Sequence, residues 1–546
     1  MATLKETLTS KFRHKAFWAI TLTLFMVAYN VSVMPAIMSP LARDLNASVG
    51  SIQGILVVFS LTTASFAPTT ENLCGFYGRT RVFGIGLILY GIGIALTSLS
   101  PTIGILAISF SLLTGLAATP LISTPWAIAE SMYGGEAEEQ TTLVLVLASV
   151  LGSLSGGILG GFIAYHLGWR WAFAPSVSVL IFIFRLQRSL PNQIIPSPQP
   201  IDWFGGLLSF LGLSSIFVGI GLAGEFGWWA PKREFAIGNM IIPPFAISIV
   251  PTLVAVGVIL LGFFGFWQRR QAQRVGASLF RVGLLRRRGF VFGMFAAMVH
   301  TLIVTGVQFN LFQFVPLALS LNPFRTALAI MPYNLTMPIV LVAVVKYLSL
   351  GSRIAPKYIV CSGIALLAVG IGVLYSSLHP QISPLELMPG LIIMGIGSGL
   401  FLSYISVLTF SSASVVDKPQ CPGIYNPIQN LGSSLGRGIL GTALIFFTSQ
   451  SIVDRVLQKL GKTLSTVQRL EVISKLQETL QTFSQAEIGT VLANKVPPSV
   501  YPSLQSINLN AATLGIRNSL LIALMLTIVC FILTTGLPKY PSCRSS

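Results

Sequence analysis

Few side chains in this sequence could move a proton or hold a charge in an apolar setting. The four histidines, His14, His166, His300 and His379, are scattered. No H-E-x-x-H, no G-x-x-x-x-G-K-S/T phosphate loop and no C-x-x-C pair occurs. Zinc hydrolysis, nucleotide hydrolysis and dithiol exchange therefore lack their residues, and no enzyme activity, catalytic residue, metal or cofactor is expected. Within or at the edges of apolar runs lie His300, which can titrate near neutral pH, Glu130 and Arg437. With them come six uncharged polar groups: Asn30, Gln308, Asn310, Gln313, Tyr333 and Asn334. In hydrocarbon such groups need partners from other helices or from water in a cavity, and both readings stand. His300 is either a hydrogen-bonded packing residue or a proton carrier. A central arginine costs roughly 2.5–3.5 kcal/mol on insertion scales. For Arg437 a cavity, a carboxylate, an anionic ligand or snorkelling to the outer interface would offset that.

The elements that position these groups are membrane spans. The 546 residues are 53% hydrophobic and 9% charged, with a mean hydropathy of +0.79. That composition excludes an ordinary soluble globule. A span needs about 20 apolar residues. Spans are expected at 16–38, 50–69, 81–99, 102–127, 142–165, 171–187, 203–222, 241–267, 289–318, 325–348, 357–377, 385–410, 423–447 and 518–537, about 14 in all. The first is too long for a signal-peptide core and lacks a cleavage site, so it reads as retained.

With the N-terminus in the cytoplasm, twenty-one lysines and arginines fall in inside segments and five in short outside loops. The positive-inside bias thus puts both termini in the cytoplasm. It also accounts for most of the net charge of +18. Such a charge meets anionic lipid; it is no nucleic-acid footprint, because no compact polar domain carries it. Cys74, Cys361, Cys421, Cys530 and Cys543 fall in spans or on the cytoplasmic side, so no structural disulfide is expected.

LGSLSGGILGG, followed by WRWAF, is the most patterned stretch. Gly152, Gly156 and Gly160 recur every fourth residue, as do Ser153, Gly157 and Gly161 one position on. On a helix these make two adjacent stripes that let another helix approach to near backbone contact. The segment resembles the G-P-x-x-G-G and W-R-W-x-F motif of the fifth helix in major facilitator superfamily exporters, most closely the 14-helix drug:proton antiporter branch (DHA2-like). Gly156, Gly160, Gly161, Trp169, Arg170, Trp171 and Phe173 match it, and Gly157 replaces the proline.

Other parts of the family pattern are present but altered. ENLCGFYGRTRVF resembles the loop after the second helix through Leu73, Gly78, Arg79 and Arg81. There Glu71 replaces the first glycine and Gly75 the aspartate. In relatives that aspartate caps a helix and latches one conformation; Glu71, one turn away, could do part of this, or Arg79 and Arg81 are plain cytoplasmic anchors. Met26 stands where relatives carry an aspartate, and Ser111 where they carry an arginine implicated in proton transfer; Gly115, Ala118 and Pro120 fit around it. Asp202, Trp203 and Gly205 resemble the D-W-x-G that opens the extra helix pair. PGIYNPIQNLGSSLGRGILGTAL resembles the thirteenth-helix motif through Gly423, Asn426, Gly432 and Gly436. Within it, LGSSLGRGILG echoes LGSLSGGILG with one residue inserted, where a repeat of six-helix halves places it.

The expected fold is therefore an all-α polytopic membrane protein: two six-helix bundles and an inserted helix pair. Residues 1–190 form the first bundle, and 191–288 the linker and inserted hairpin. Residues 289–546 form the second bundle, with an external segment at 449–516. In that segment Val453, Val456, Leu457, Leu460, Leu464, Val467 and Leu470 have helical spacing, which predicts an amphipathic cap. The resemblance implies a monomeric secondary transporter in the plasma membrane that exports hydrophobic or amphiphilic small molecules. Candidate substrate contacts are Asn30, Gln308, Asn310, Gln313, Tyr333, Asn334 and Arg437. Candidate gating residues are Gly152, Gly156, Gly157, Gly160, Gly161, Glu71, Gly78, Arg79, Arg81, Gly432 and Gly436. Proton coupling is an open question: His300 or Glu130 replaces the missing carriers, or the protein is a uniporter. Facilitated movement of an anionic amphiphile, and a non-transporting scaffold or sensor, are the competing readings.

Overall fold

A computed structural model describes residues 15–540, apart from 48, 134–137, 191–201, 228, 230–235, 238–239, 242–246, 276–283, 285, 320, 322, 348–353, 414–420, 462–463 and 483–503. The principal helices are α1 (Lys15–Ala36), α2 (Met38–Asp44), α3 (Val49–Tyr77), α4 (Arg79–Ser98) and α5 (Gly115–Tyr133). Next come α6 (Glu138–His166), α7 (Ala174–Leu186), α8 (Trp203–Phe226), α9 (Ile249–Val275), α10 (Arg288–Leu319) and α11 (Pro323–Tyr347). The last are α12 (Pro356–Ser377), α13 (Pro384–Ser411), α14 (Cys421–Leu460), α15 (Thr466–Thr482) and α16 (Leu504–Thr535). A π-helical turn, Ala107–Thr114, leads into α5 and carries Ser111. WRWAF forms a 3-10 turn, Trp169–Phe173, behind Gly168 at φ 97°.

Among the described residues, 13 helical stretches are long and apolar enough to cross a membrane, and Gly54–Ala67 inside α3 is a shorter one. Each overlaps an expected span. Water cannot satisfy backbone groups in hydrocarbon, so uninterrupted apolar runs close their hydrogen bonds internally as helices. The described β structure is one antiparallel pair, Ala236–Ile237 with Met240–Ile241, between α8 and α9.

The far end departs from expectation. α14 runs 40 residues, about 60 Å at 1.5 Å per residue, twice the hydrocarbon thickness of about 30 Å. It continues past 447 because Ile452 and Val453 keep one face buried, and nothing ends it before Gly461 at φ 61°. α16 starts at Leu504, so its span is Ser506–Thr535 rather than 518–537. A Cβ at Gly515 would press on the Thr448 side chain and the Leu444 carbonyl, so the two helices lie close beyond the core. Of the expected cap stripe, Val453 is buried, Val456, Leu457, Leu460 and Leu464 are half-buried and Leu470 is exposed. The Val467 side chain lies outside the described residues. The face α15 buries is instead Ile473 and Gln477. Arg469 clasps Asp454 with two hydrogen bonds, Nε to Oδ1 at 2.8 Å and Nη2 to Oδ2 at 2.6 Å.

The chain divides into two compact units. One comprises Met1–Ile37, Phe59–Leu213 and Leu260–Val282; the other comprises Met38–Val58, Ser214–Ile259 and Gly283–Ser546. In the first unit Asp202 closes the base of the inserted helix pair. Its Oδ1 accepts from Gly205 N at 2.8 Å and Trp267 Nε1 at 3.0 Å, and its Oδ2 accepts from Gln268 Nε2 at 2.7 Å. In the second unit Ser248 donates to the Gly227 carbonyl at 2.6 Å, at the other end of the pair.

Candidate functional site

Each unit is built on a glycine seam. In the first, a Cβ at Gly152 would strike the Phe25 carbonyl of α1, and one at Gly156 would strike the Tyr29 carbonyl. At Gly160 a Cβ would sit 2.9 Å from Val33 Cγ2. Beside the seam Ser32 and Ser153 share a hydrogen bond at 2.7 Å. In the second unit, a Cβ at Gly432 would strike the Met298 carbonyl of α10, and one at Gly436 the Leu302 carbonyl. Thr305 Oγ1 reaches the Ser433 carbonyl at 3.3 Å. One turn on, the knob and the hole change helices. A Cβ at Gly306 of α10 would meet Leu440 Cδ1 at 2.5 Å, where the first unit sets Val33 against Gly160.

This matching of contacts aligns Gly152 with Gly432 and Gly156 with Gly436 without a gap. The inserted residue of the sequence echo is therefore not needed, and Arg437 takes the place of Gly157. Gly157 and Gly161 lie on α6 in the same stretch. The contacts of Gly152, Gly156 and Gly160 run to α1, and those of Gly432 and Gly436 to α10, each within its own unit.

The candidate polar residues divide between the units. Asn30 is fully buried in the first. Its Nδ2 donates to Tyr90 OH and to the Met26 carbonyl, both at 3.1 Å, while Oδ1 has no partner. Tyr29 OH donates to the Ala172 carbonyl at 2.8 Å, tying α1 to the WRWAF turn. Arg170 lies 4.4 Å from the Trp169 ring centre and donates to the Ser100 carbonyl at 3.2 Å. Gly78 takes φ 89° as it turns α3 into α4, with Arg79 half-buried and Arg81 exposed just beyond. The side chains of Glu71 and Glu130 lie outside the described residues.

The second unit gathers the others. His300 is 2% exposed, stacks on Phe401 at 4.3 Å between ring centres, and pairs through Nε2 with Ser398 Oγ at 3.2 Å. The Tyr333 hydroxyl bonds to the same Ser398. His300 Nδ1 is buried without a hydrogen-bond partner. Gln308 Nε2 donates to Asn334 Oδ1 at 3.1 Å. Asn310 Nδ2 points elsewhere, to the Leu440 carbonyl at 3.0 Å and Ser519 Oγ at 2.6 Å. Gln313 Nε2 is buried without a partner. Arg437 is half-buried; Nη1 donates to the Leu56 carbonyl at 3.0 Å and Nη2 to Ser433 Oγ at 3.0 Å. Leu56 belongs to the same unit. Backbone and hydroxyl oxygens thus take part of the role foreseen for a cavity, a carboxylate or a ligand.

Sequence reasoning did not single out Tyr90, Ser398 or Ser519. Ser398 lies inside MGIGSGL, a glycine-rich apolar run in which a lone serine carries no local signal. Among the described residues no group of three His, Cys, Asp or Glu could hold a metal ion.

Three comparisons bear on this arrangement. Residues 20–437 match the family Major Facilitator Superfamily. The chain is 25% identical over 424 residues to a probable actinorhodin transporter of Streptomyces coelicolor, covering 76% of this chain and 69% of that one. It is 22% identical over 438 residues to the multidrug efflux pump LfrA of Mycolicibacterium smegmatis, covering 80% and 82%. Among solved structures, a peptide transporter POT in complex with sulfate aligns with TM-score 0.56 at 13% identity, over 90% of this chain and 96% of that one. A bacterial homolog of the human lysosomal transporter Spinster aligns with TM-score 0.55 at 12% identity, over 97% and 98%.

Proposed function

We propose that this chain, which belongs to the major facilitator superfamily, exports hydrophobic or amphiphilic small molecules by alternating access. That it is a transporter and not an enzyme follows from the family. The export direction and substrate class are inferred from relatives named as an efflux pump and a probable actinorhodin transporter.

The observation that carries the reading is the repeated seam. Gly152 and Gly156 against Phe25 and Tyr29 reappear as Gly432 and Gly436 against Met298 and Leu302. Helices meshed backbone to backbone shear with difficulty, so each bundle moves as a body. Rocking of two such bodies about a mid-membrane site is the transport cycle of repeat-built carriers. On this reading the glycines act in gating by keeping the bodies rigid. Gly78 with Arg79 and Arg81 forms the turn about which α3 and α4 reorient. The loops rich in lysine and arginine face the cytoplasm across the plasma membrane.

Gln308, Asn334, Gln313 and Arg437 are the polar residues we assign to substrate, because each is half-buried. Asn30, Asn310 and Tyr333 are buried and act as supports in the conformation described. His300 is the proton carrier if transport is coupled, its free Nδ1 being the acceptor.

The test is efflux from proteoliposomes of a cationic dye and of an anionic amphiphile, each with and without an imposed pH gradient. Gradient-driven movement that His300→Gln abolishes supports coupling through His300; movement indifferent to the gradient supports facilitated diffusion. Preference for the anion, lost in Arg437→Ala, favours the second reading: a facilitator for anionic amphiphiles. Cysteine probes along α1, α5 and α10 that never become water-reachable from either side would overturn transport and leave a membrane scaffold.

A further inference from the structure

Arg517 also lies within a span, Ser506–Thr535, and the transport reading makes no use of it. It lies on α16, with its guanidinium carbon 4.5 Å from the centre of the Tyr375 ring on α12. Arg517 Nε is buried and has no hydrogen-bond partner. Among the described residues the guanidinium, which carries five donors, makes no ion pair, and it lies over an aromatic face.

Its depth follows from the packing of the same two helices. At one end of the pair Lys357 Nζ donates to the Thr535 carbonyl at 2.5 Å, and Cys361 Sγ reaches Thr534 Oγ1 at 3.5 Å. Tyr375 lies eighteen residues after Lys357, and Arg517 eighteen residues before Thr535. Both therefore stand about 27 Å from the basic end at 1.5 Å per residue. A hydrocarbon layer is about 30 Å thick, which brings Arg517 to the opposite boundary, where lipid phosphates begin.

We propose that Arg517 and Tyr375 form a binding site for the phosphodiester of a membrane lipid on the face opposite the basic loops. A phosphate offers two oxygens to the planar guanidinium fork, a fit that a lysine cannot reproduce. Tyr375 holds the fork from one side by cation–π attraction. Lipid binding here would brace the outer ends of α12 and α16, the helix that follows the external cap.

The experiment is native mass spectrometry of detergent-purified full-length protein with added phosphatidylglycerol. The parent should retain a lipid adduct. Arg517→Gln should reduce retention about tenfold, the scale of losing a charge-assisted contact. Arg517→Lys and Tyr375→Leu should fall between. Arg455→Gln, which removes an equal charge from the exposed flank of α14, should leave retention unchanged. Millimolar inorganic phosphate should not displace the lipid. The proposal is overturned if the parent holds no adduct, if Arg517→Gln retains it like the parent, or if Arg455→Gln loses as much. Displacement by inorganic phosphate would equally reject a lipid site and leave a free-anion one. Should Arg517→Gln fail to fold, Tyr375→Leu, which keeps the charge, decides by the same readout.

Discussion

Alanine at Gly156 should destabilise this protein, whereas alanine at Gly160, one turn along the same helix, should not. In isolation both changes favour a helix, by roughly 0.5–1 kcal/mol, because glycine loses more backbone freedom on folding. The opposing term differs between them. At Gly156 the added methyl would lie 3.0 Å from both the carbonyl carbon and Cα of Tyr29, with the carbonyl oxygen nearer still. Those are backbone atoms of α1, and Tyr29 is also tethered to the Ala172 carbonyl. Relief requires the helices to part, an overpacking cost of about 1–3 kcal/mol. At Gly160 the nearest atom is a methyl of Val33 at 2.9 Å, which a small rotation can move. The expected gap between the two variants is about 1–2 kcal/mol, five- to thirtyfold in the folded-to-unfolded ratio. Unfolding by SDS in mixed micelles reads it directly. In the second unit Gly432→Ala and Gly436→Ala should rank with Gly156→Ala. Gly306→Ala should rank with them too, since its methyl would meet the Gly436 carbonyl oxygen at 2.6 Å. Equal stability of Gly156→Ala and Gly160→Ala would refute the seam as the source of rigidity.

Asp202→Asn should loosen the base of the inserted pair by about 1.5–3 kcal/mol, because fully buried Gln268 loses a charged acceptor; faster amide exchange at Gly205 is the readout. Asp454→Asn should speed exchange across α15 yet leave global stability nearly unchanged, since the Arg469 pair is more than a third exposed and screened by solvent. The Lys475 ammonium beside Glu471 holds its carboxyl below the usual carboxylate range. The pair thus supports α15 above that range and is lost as pH falls through the folded value; exchange in α15, corrected for intrinsic rates, should rise in acid, and Glu471→Gln should remove that dependence.

Long apolar runs made the spans legible, since hydrocarbon leaves the backbone no alternative to a helix. Short-range spacing made the glycine stripes legible as close-approach faces, though not their partners. Nothing local in LGSLSGGILGG says that its seam lies on α1. The cap was visible as helical spacing, but its buried face shifted from Leu470 to Ile473 and Gln477. Where a helix turns is fixed by what it meets, and the Asp454–Arg469 clasp sets that. The polar candidates were found by type and depth, yet their pairing was not. Asn310 and Gln308 sit two residues apart and face different helices, because a helix turns about 200° over two positions. Arg517 was missed because the apolar run was read as starting after it, whereas the helix begins at Leu504.

The seams also impose an order in time. Ser32 and Ser153, which face each other beside the first seam, are 121 residues apart, and Thr305 and Ser433 beside the second are 128 apart. At roughly 5–20 residues per second of synthesis, α1 waits about 6–24 s for its partner, and α10 waits as long for its own. The two stripes are near-copies, so a chain released all at once could pair α1 with α14. Emergence from the ribosome removes that ambiguity. By the time Gly432 and Gly436 exist, α1 is already occupied by α6, and the newly made α10 is the carbonyl ridge still open to them.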